Sequence, residues 1–389
     1  MIHATIRLLE IVAVAGTISS MGYYAFCIMC VLELVRERRN EDRNIRRPQN
    51  PVPESVLKPL KGTDPEMYEN FRSHCLQDYP EYEIIFGVSD AGDPAIPLVE
   101  RLQREFLERS IQLVVCDESL GPNIKVSNLA QMVRRARYSV LVVNDSDIRV
   151  ERDYLQRVVA PLDQTNVGVV TCLYRASANS TLTSCFESLG IVDFCAAVLS
   201  ARRVEGGLRF GLGSTLAFRR RELELIGGFE ALVNYLADDY QLGQRIVAHQ
   251  YIAKLSDVTV ETVLPAYTLR EFVSHQLRWA RTVRTSRPRG YSGFIITFGV
   301  FWSLVALLLS RGAIWAWLLL LAVLTLRMAM MLVMGRRVLQ DRHIQKLIWL
   351  LPLRDLIGPL FWFASFFGNT VSWRGDRFVV SRGKLAKVT

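Results

Sequence analysis

The segment Val140-Leu-Val-Val-Asn-Asp145-Ser-Asp147 ends an apolar run in two acids one residue apart. Read as a buried strand, it puts Asp145 and Asp147 on the same side, because side chains alternate along an extended chain. Two carboxylates at a strand end form a hard-oxygen site suited to Mg2+ or Mn2+ carrying a diphosphate. A polar turn at the strand end is the structural alternative. Ile84-Ile-Phe-Gly-Val-Ser-Asp90-Ala-Gly-Asp93-Pro94 repeats the grammar, so both acidic clusters can meet on one sheet edge. A carboxylate at Asp90 can accept hydrogen bonds from a nucleobase or ribose. An Asx turn ahead of Pro94 accounts for it equally well.

Three further segments carry chemistry. Gly121-Pro-Asn-Ile-Lys125-Val-Ser-Asn128 leads from a β-rich run into a helical one, which makes Lys125 either an anion contact or part of a plain helix start. Tyr235-Leu-Ala-Asp238-Asp239 opens another helical stretch. Acids there complement the helix dipole, or one of them is the general base that an attacking hydroxyl needs. Phe272-Val-Ser-His275-Gln276-Leu-Arg278-Trp279-Ala-Arg281 joins a guanidinium fork suited to phosphate with an apolar indole face. A basic helix beside a membrane satisfies the same pattern.

These residues need a scaffold, and the chain between them alternates β-rich and helical runs. Strands are expected at Ser55 to Leu60, Tyr82 to Ser89, Ile111 to Cys116, Tyr138 to Asn144 and Val167 to Tyr174, with helices at Ile96 to Leu107 and Val126 to Arg135. Such alternation predicts an α/β domain over residues 48–290 with a mostly parallel sheet. Sheets of this kind bind ligands beyond the carboxyl ends of their strands. Seven cysteines without paired spacing predict no disulfide framework, and Cys27 and Cys30 read as small apolar packing.

The composition points to a membrane. Of 389 residues 50% are hydrophobic and 22% charged, with a formal charge of +9 and a mean hydropathy of +0.18. Ile11 to Leu32 is uncharged and long enough to span a bilayer, and Arg36, Arg38, Arg39, Arg43, Arg46 and Arg47 follow it. Residues 1–35 thus read as a signal anchor with its C-terminal end in the cytoplasm. Residues 291–371 read as a second membrane block: two spans that meet at Arg311 and Gly312, then an interfacial or re-entrant stretch from Leu347 to Val371. Arg327 inside the second span either pairs within the bundle or snorkels. Residues 372–389 read as a basic cytoplasmic tail. Basic residues clustered beside apolar spans argue against a nucleic-acid partner.

Taken in this order, the motifs resemble the inverting GT-A glycosyltransferases of the family 2 type. Within these the chain is most similar to ceramide glucosyltransferases (family 21) and bacterial hopanoid-associated glycosyltransferases. The resemblance runs from about Ser55 to Trp279 and includes the membrane flanks. It implies a GT-A nucleotide-sugar-binding domain between N-terminal and C-terminal transmembrane helices, a UDP-sugar donor, a lipid acceptor in the bilayer and a Mg2+ or Mn2+ ion. Asp90 is implied to contact uridine, Asp145 and Asp147 to hold the metal and diphosphate, and Asp239 to be the base beside Asp238. Lys125 and Asn128 match a nucleotide-site pair. His275, Arg278 and Trp279 fall in the (Q/R)xxRW frame, which departs from the pattern in having His275 first and Gln276 one place later. The full DSD, where animal ceramide glucosyltransferases tend to have DSG, fits a bacterial relative. The expected reaction is hexose transfer, UDP-glucose or similar, to a lipid hydroxyl such as that of ceramide. N-acetylglucosaminyl transfer to a hopanoid polyol, processive polysaccharide synthesis and non-enzymatic lipid binding are the alternatives.

Overall fold

The computed structural model describes residues 1–42, 51–178, 181–373 and 375–387. Arg43, Arg46 and Arg47 of the basic cluster, Pro48 at the expected domain start and Arg374 of the tail lie outside the described residues. The chain forms two compact units. One comprises Met1–Asn40, Ser180–Ser200 and Tyr267–Val371, the other Glu41–Asn179, Ala201–Ala266 and Ser372–Thr389.

The second unit is the α/β body. Among the described residues its main sheet has eight strands: β1 (Glu54–Pro59), β2 (Tyr82–Val88), β3 (Ser110–Val115), β4 (Val140–Val143), β5 (Ile148–Arg149), β6 (Val167–Ser177), β7 (Leu216–Arg219) and β8 (Ile252–Val263). They lie in the order β3-β2-β1-β4-β7-β6-β8-β5. β1 runs parallel to both β2 and β4, and Val56 pairs with Ile84 on one side and Val142 on the other. Every residue of β1, β2 and β4 is buried, as expected of parallel strands covered on both faces. Because these three strands share a direction, the segments that leave them after Pro59, Val88 and Val143 emerge at one sheet edge. The acidic clusters that follow β2 and β4 therefore leave the sheet at the same edge, on either side of β1.

Five strands follow the sequence expectation within a few residues. β7, β8 and β5 were not anticipated: β7 has four residues and β5 two, too short for a periodic signal, and β8 (IAKLSDVTVETV) mixes polar residues into its run. β7 is antiparallel to β4 and β6, so the sheet is mixed. Downstream, Asp376–Ser381 and Lys384–Lys387 pair as an antiparallel hairpin, and Asp376 bonds Lys61 and Lys387 at 3.0 Å each.

Among the described residues, four helices are long and apolar enough to cross a membrane: His3–Asn40, Leu182–Val204, Ile314–Arg337 and Ile344–Ala364. Pro288–Thr297 and Gly299–Leu309 form a further pair bent by 49°. The sequence reading did not single out Leu182–Val204, because Glu187 and Asp193 interrupt its apolar run. Both acids have partners. Arg327 takes Asp193 in a fork at 2.6 and 2.8 Å and Asp355 in another at 2.8 and 2.7 Å. Arg354 adds a bond to Asp193 at 2.5 Å, and the Tyr24 ring lies 5.3 Å from the Arg327 guanidinium. Of the two alternatives for Arg327, pairing is the one realised. Two arginines and two aspartates balance, which a buried charge in an apolar bundle requires.

Candidate active site

Asp145, Ser146, Asp147 and Ile148 form the turn that leaves β4. The Ile148 N–H donates to the Asp145 carbonyl at 3.4 Å, and Lys58 Nζ, from β1, donates to the same carbonyl at 3.0 Å. Ser146 donates its hydroxyl to Asp64. Asp147 accepts from the Thr262 hydroxyl at 2.6 Å, and its carbonyl accepts from Val263 N–H at 3.2 Å, both on β8. The strand-end turn and the acidic pair, alternatives in the sequence, are therefore one object.

Opposite this turn stands the helix Asp238–Ala248, with Asp238 and Asp239 in its first turn. Lys125, on the helix Ile124–Met132, links the two sides: its Nζ is 2.6 Å from Asp145 Oδ1 and 3.4 Å from Asp238 Oδ2. Asn123 caps that helix by accepting from Val126 N–H at 3.1 Å. Its amide donates to the Tyr235 carbonyl at 2.7 Å and to Asp238 at 3.4 Å. Gly213 fills the gap. A Cβ there would sit 3.1 Å from Asp145 Oδ2 and 3.1 Å from Asp239 Oδ2, so the two oxygens lie no more than twice that distance apart. The sequence reading missed Gly213, Asn123, Lys58 and Thr262. The Gly-Leu-Gly-Ser-Thr run at 211–215 was the available signal, since closely spaced glycines mark close approach of backbone to other groups.

Acids gathered in a partly buried cleft shift one another. Burial and then the neighbouring Asp238 push Asp239 up to about 6, against the opposing pull of Lys125 and of the Tyr240 N–H, which donates at 2.7 Å. Burial and then Asp145 raise Asp147 to about 6, moderated by the Thr262 hydroxyl. For Lys125, burial opposes the charge but Asp145, Asp238 and Asp239 outweigh it, so the ammonium is held firmly protonated. Lys58 goes the other way: burial takes it down to about 7 in spite of Asp147 and Asp145.

Asp90 follows β2 and bonds the Gly92 N–H at 2.8 Å, the Asx turn of the bland alternative, while remaining exposed. Asn128 is buried and accepts from the Ser89 hydroxyl at 2.9 Å, one residue before Asp90. His275, Arg278 and Trp279 belong to the helical unit, on the helix Leu269–Ser286. His275 Nδ1 is 3.3 Å from Glu187, Gln276 donates to the same carboxylate, and Trp279 packs edge-on against Phe194 at 5.3 Å. Glu187 thus serves both residues at the irregular start of the (Q/R)xxRW frame.

Among the described residues, no three His, Cys, Asp or Glu side chains are grouped to hold a metal alone. Asp145 and Asp147 each commit one oxygen, to Lys125 and to Thr262, and each carboxylate has a second. Such a pair fits Mg2+ or Mn2+ bound through one or two carboxylates and completed by phosphate oxygens and water, not a protein cage.

Residues 12–386 match the profile of glycosyl transferase family 21. The chain belongs to that family. Similar proteins include ceramide glucosyltransferase 3 of Caenorhabditis elegans, 22% identical over 98% of this chain and 85% of the relative. The ceramide glucosyltransferase of Komagataella phaffii is 30% identical over 41% of this chain and 31% of its own length. Among solved structures, the mannosyltransferase PcManGT from Pyrobaculum calidifontis, in complex with GDP-Man and Mn2+, covers 92% of this chain and 99% of its own at a TM-score of 0.52 and 18% identity. This family 21 chain therefore has a glycosyltransferase fold, as its sequence motifs implied.

Proposed function

We propose that the chain moves a hexose from a UDP-sugar to a hydroxyl of a membrane lipid, ceramide or a similar acceptor, with inversion at the anomeric carbon. The observation that carries this reading is the convergence on Gly213, where Asp239 and Asp145 face one small cradle. Inversion in a single displacement needs one base on the acceptor side and charge stabilisation on the departing diphosphate. Asp239, raised to about 6, is the base and takes the hydroxyl proton as the oxygen attacks. Asp145 and Asp147 would hold a divalent ion, which would supply Lewis-acid neutralisation of the departing diphosphate when bound. Lys125 keeps the two acidic walls together before the donor arrives. Asp90 and Asn128 receive the nucleoside. The family resemblance gives Arg278 further charge for the diphosphate, Trp279 an apolar face for the acceptor and His275 a place in the same motif. No covalent sugar intermediate is required.

The lipid acceptor is supported by the names of the family relatives and by the four membrane-competent helices. An acceptor that stays in the bilayer calls for a catalytic body at its surface, on the cytoplasmic side where nucleotide sugar is available. Asp239→Asn tests the base. Transfer should fall by about 100-fold or more while titration with donor shows unchanged binding. Wild-type transfer by the variant would overturn the assignment.

A further inference from the structure

A lysine lies in the fully buried strand β1, Glu54-Ser-Val-Leu-Lys58-Pro59. Lys58 is 0% exposed, on a strand that runs parallel to both of its neighbours. An ammonium there is costly unless the fold provides partners, and a well-packed apolar residue in its place is often as stable or more so. Packing is therefore not its reason for being there.

Its partners are specific. Nζ reaches the Asp145 carbonyl at 3.0 Å, His74 Nε2 at 3.4 Å and the Phe71 ring at 5.8 Å. His74 Nδ1 faces the Asn70 carbonyl at 3.0 Å. A carbonyl only accepts, so Nδ1 carries the hydrogen and Nε2 is the lone-pair nitrogen that receives Lys58. His74 is itself 1% exposed, so the donor is aimed by a buried acceptor behind it and a main-chain oxygen in front. That oxygen is the one that closes the Asp145–Ile148 turn through the Ile148 N–H.

We infer that Lys58 is a positioning residue: it braces the Asp145–Ile148 turn from inside the sheet and so fixes the directions of the Asp145 and Asp147 carboxylates. What the turn binds rests on the donor reading above; the brace does not. An apolar residue at 58 leaves the Asp145 carbonyl with the Ile148 N–H alone, at 3.4 Å, and removes the Lys58 donor from His74 Nε2.

The test compares the full-length wild type with Lys58→Met and with Phe71→Leu, which loosens the same pocket without touching Asp145. Hydrogen exchange over residues 144–149 reads the turn directly, and titration with Mn2+ followed by electron paramagnetic resonance of the free ion reads the site. Lys58→Met should speed exchange and weaken Mn2+ binding by about tenfold each, the scale of one lost charged hydrogen bond. Phe71→Leu should lower thermal stability and change neither. Exchange in Lys58→Met equal to wild type overturns the brace. Equal effects in both variants at matched stability also overturn it, because they assign the change to packing. A wild type that binds no Mn2+ contradicts the metal reading, and exchange still decides Lys58.

Discussion

Asp239 shows how one residue reconciles folding with chemistry. Burial and then the neighbouring Asp238 raise it to about 6 against the pull of Lys125, close to the pH at which a base is both deprotonated and effective. Donor-saturated turnover should therefore fall about tenfold per pH unit below about 6, as Asp239 takes a proton. A pH–rate profile flat down to pH 5 would exclude it as the titrating base. The sign for stability is opposite. A carboxyl raised in the fold binds its proton more tightly than in the unfolded chain, so its contribution to stability is complete below the unfolded value of about 4 and is lost as pH rises through about 6. Residue by residue, the sequence made visible the acids that end apolar runs, because a carboxylate after a buried strand is conspicuous. Lys58 was read as an ordinary member of a strand. Gly213 matters through what its missing Cβ permits, and Glu187 through residues nearly ninety positions away, and no local pattern carries either fact.

At the scale of elements, the site depends on two helix starts and a strand end held in register. Ile124–Met132 begins at the cap of Asn123, whose amide also reaches the loop before Asp238. The helix Asp238–Ala248 can lie close because it has glycine at 243. A Cβ there would stand 2.1 Å from the Gly211 nitrogen and 2.6 Å from the Phe210 carbonyl carbon. Backbone atoms cannot rotate aside, so Gly243→Ala must push the helix away from the 210–213 segment and carry Asp239 with it. The expected cost is about 1–3 kcal/mol of stability, with a loss of turnover larger than the loss of folded protein. Thermal unfolding alongside the kinetics checks it, and wild-type values in both would refute the close approach. The early parallel strands were legible as short β-rich runs alternating with helical ones. β7 and β8 were not, since strand position in a mixed sheet is decided by pairing with distant partners and not by local periodicity.

Over the whole molecule, the hydrophobic excess has a separate address from the acids of the candidate site. The apolar residues concentrate in helices of membrane-spanning length, including Leu182–Val204, which lies between β6 and β7 in sequence. The acids concentrate at one edge of the sheet in the α/β body. That division is what a transferase with a water-soluble donor and a bilayer-bound acceptor needs. It leaves one measurement that addresses the proposed reaction as a whole. Full-length protein in nanodiscs containing ceramide is supplied with UDP-glucose and Mn2+ or Mg2+, and the lipid product is analysed by NMR for anomeric configuration. The account predicts a single glucose on the lipid, joined in the β configuration from the α-linked donor, and no product when the metal is chelated. An α-linked product, a growing polymer, or transfer that ignores both lipid and metal would contradict it.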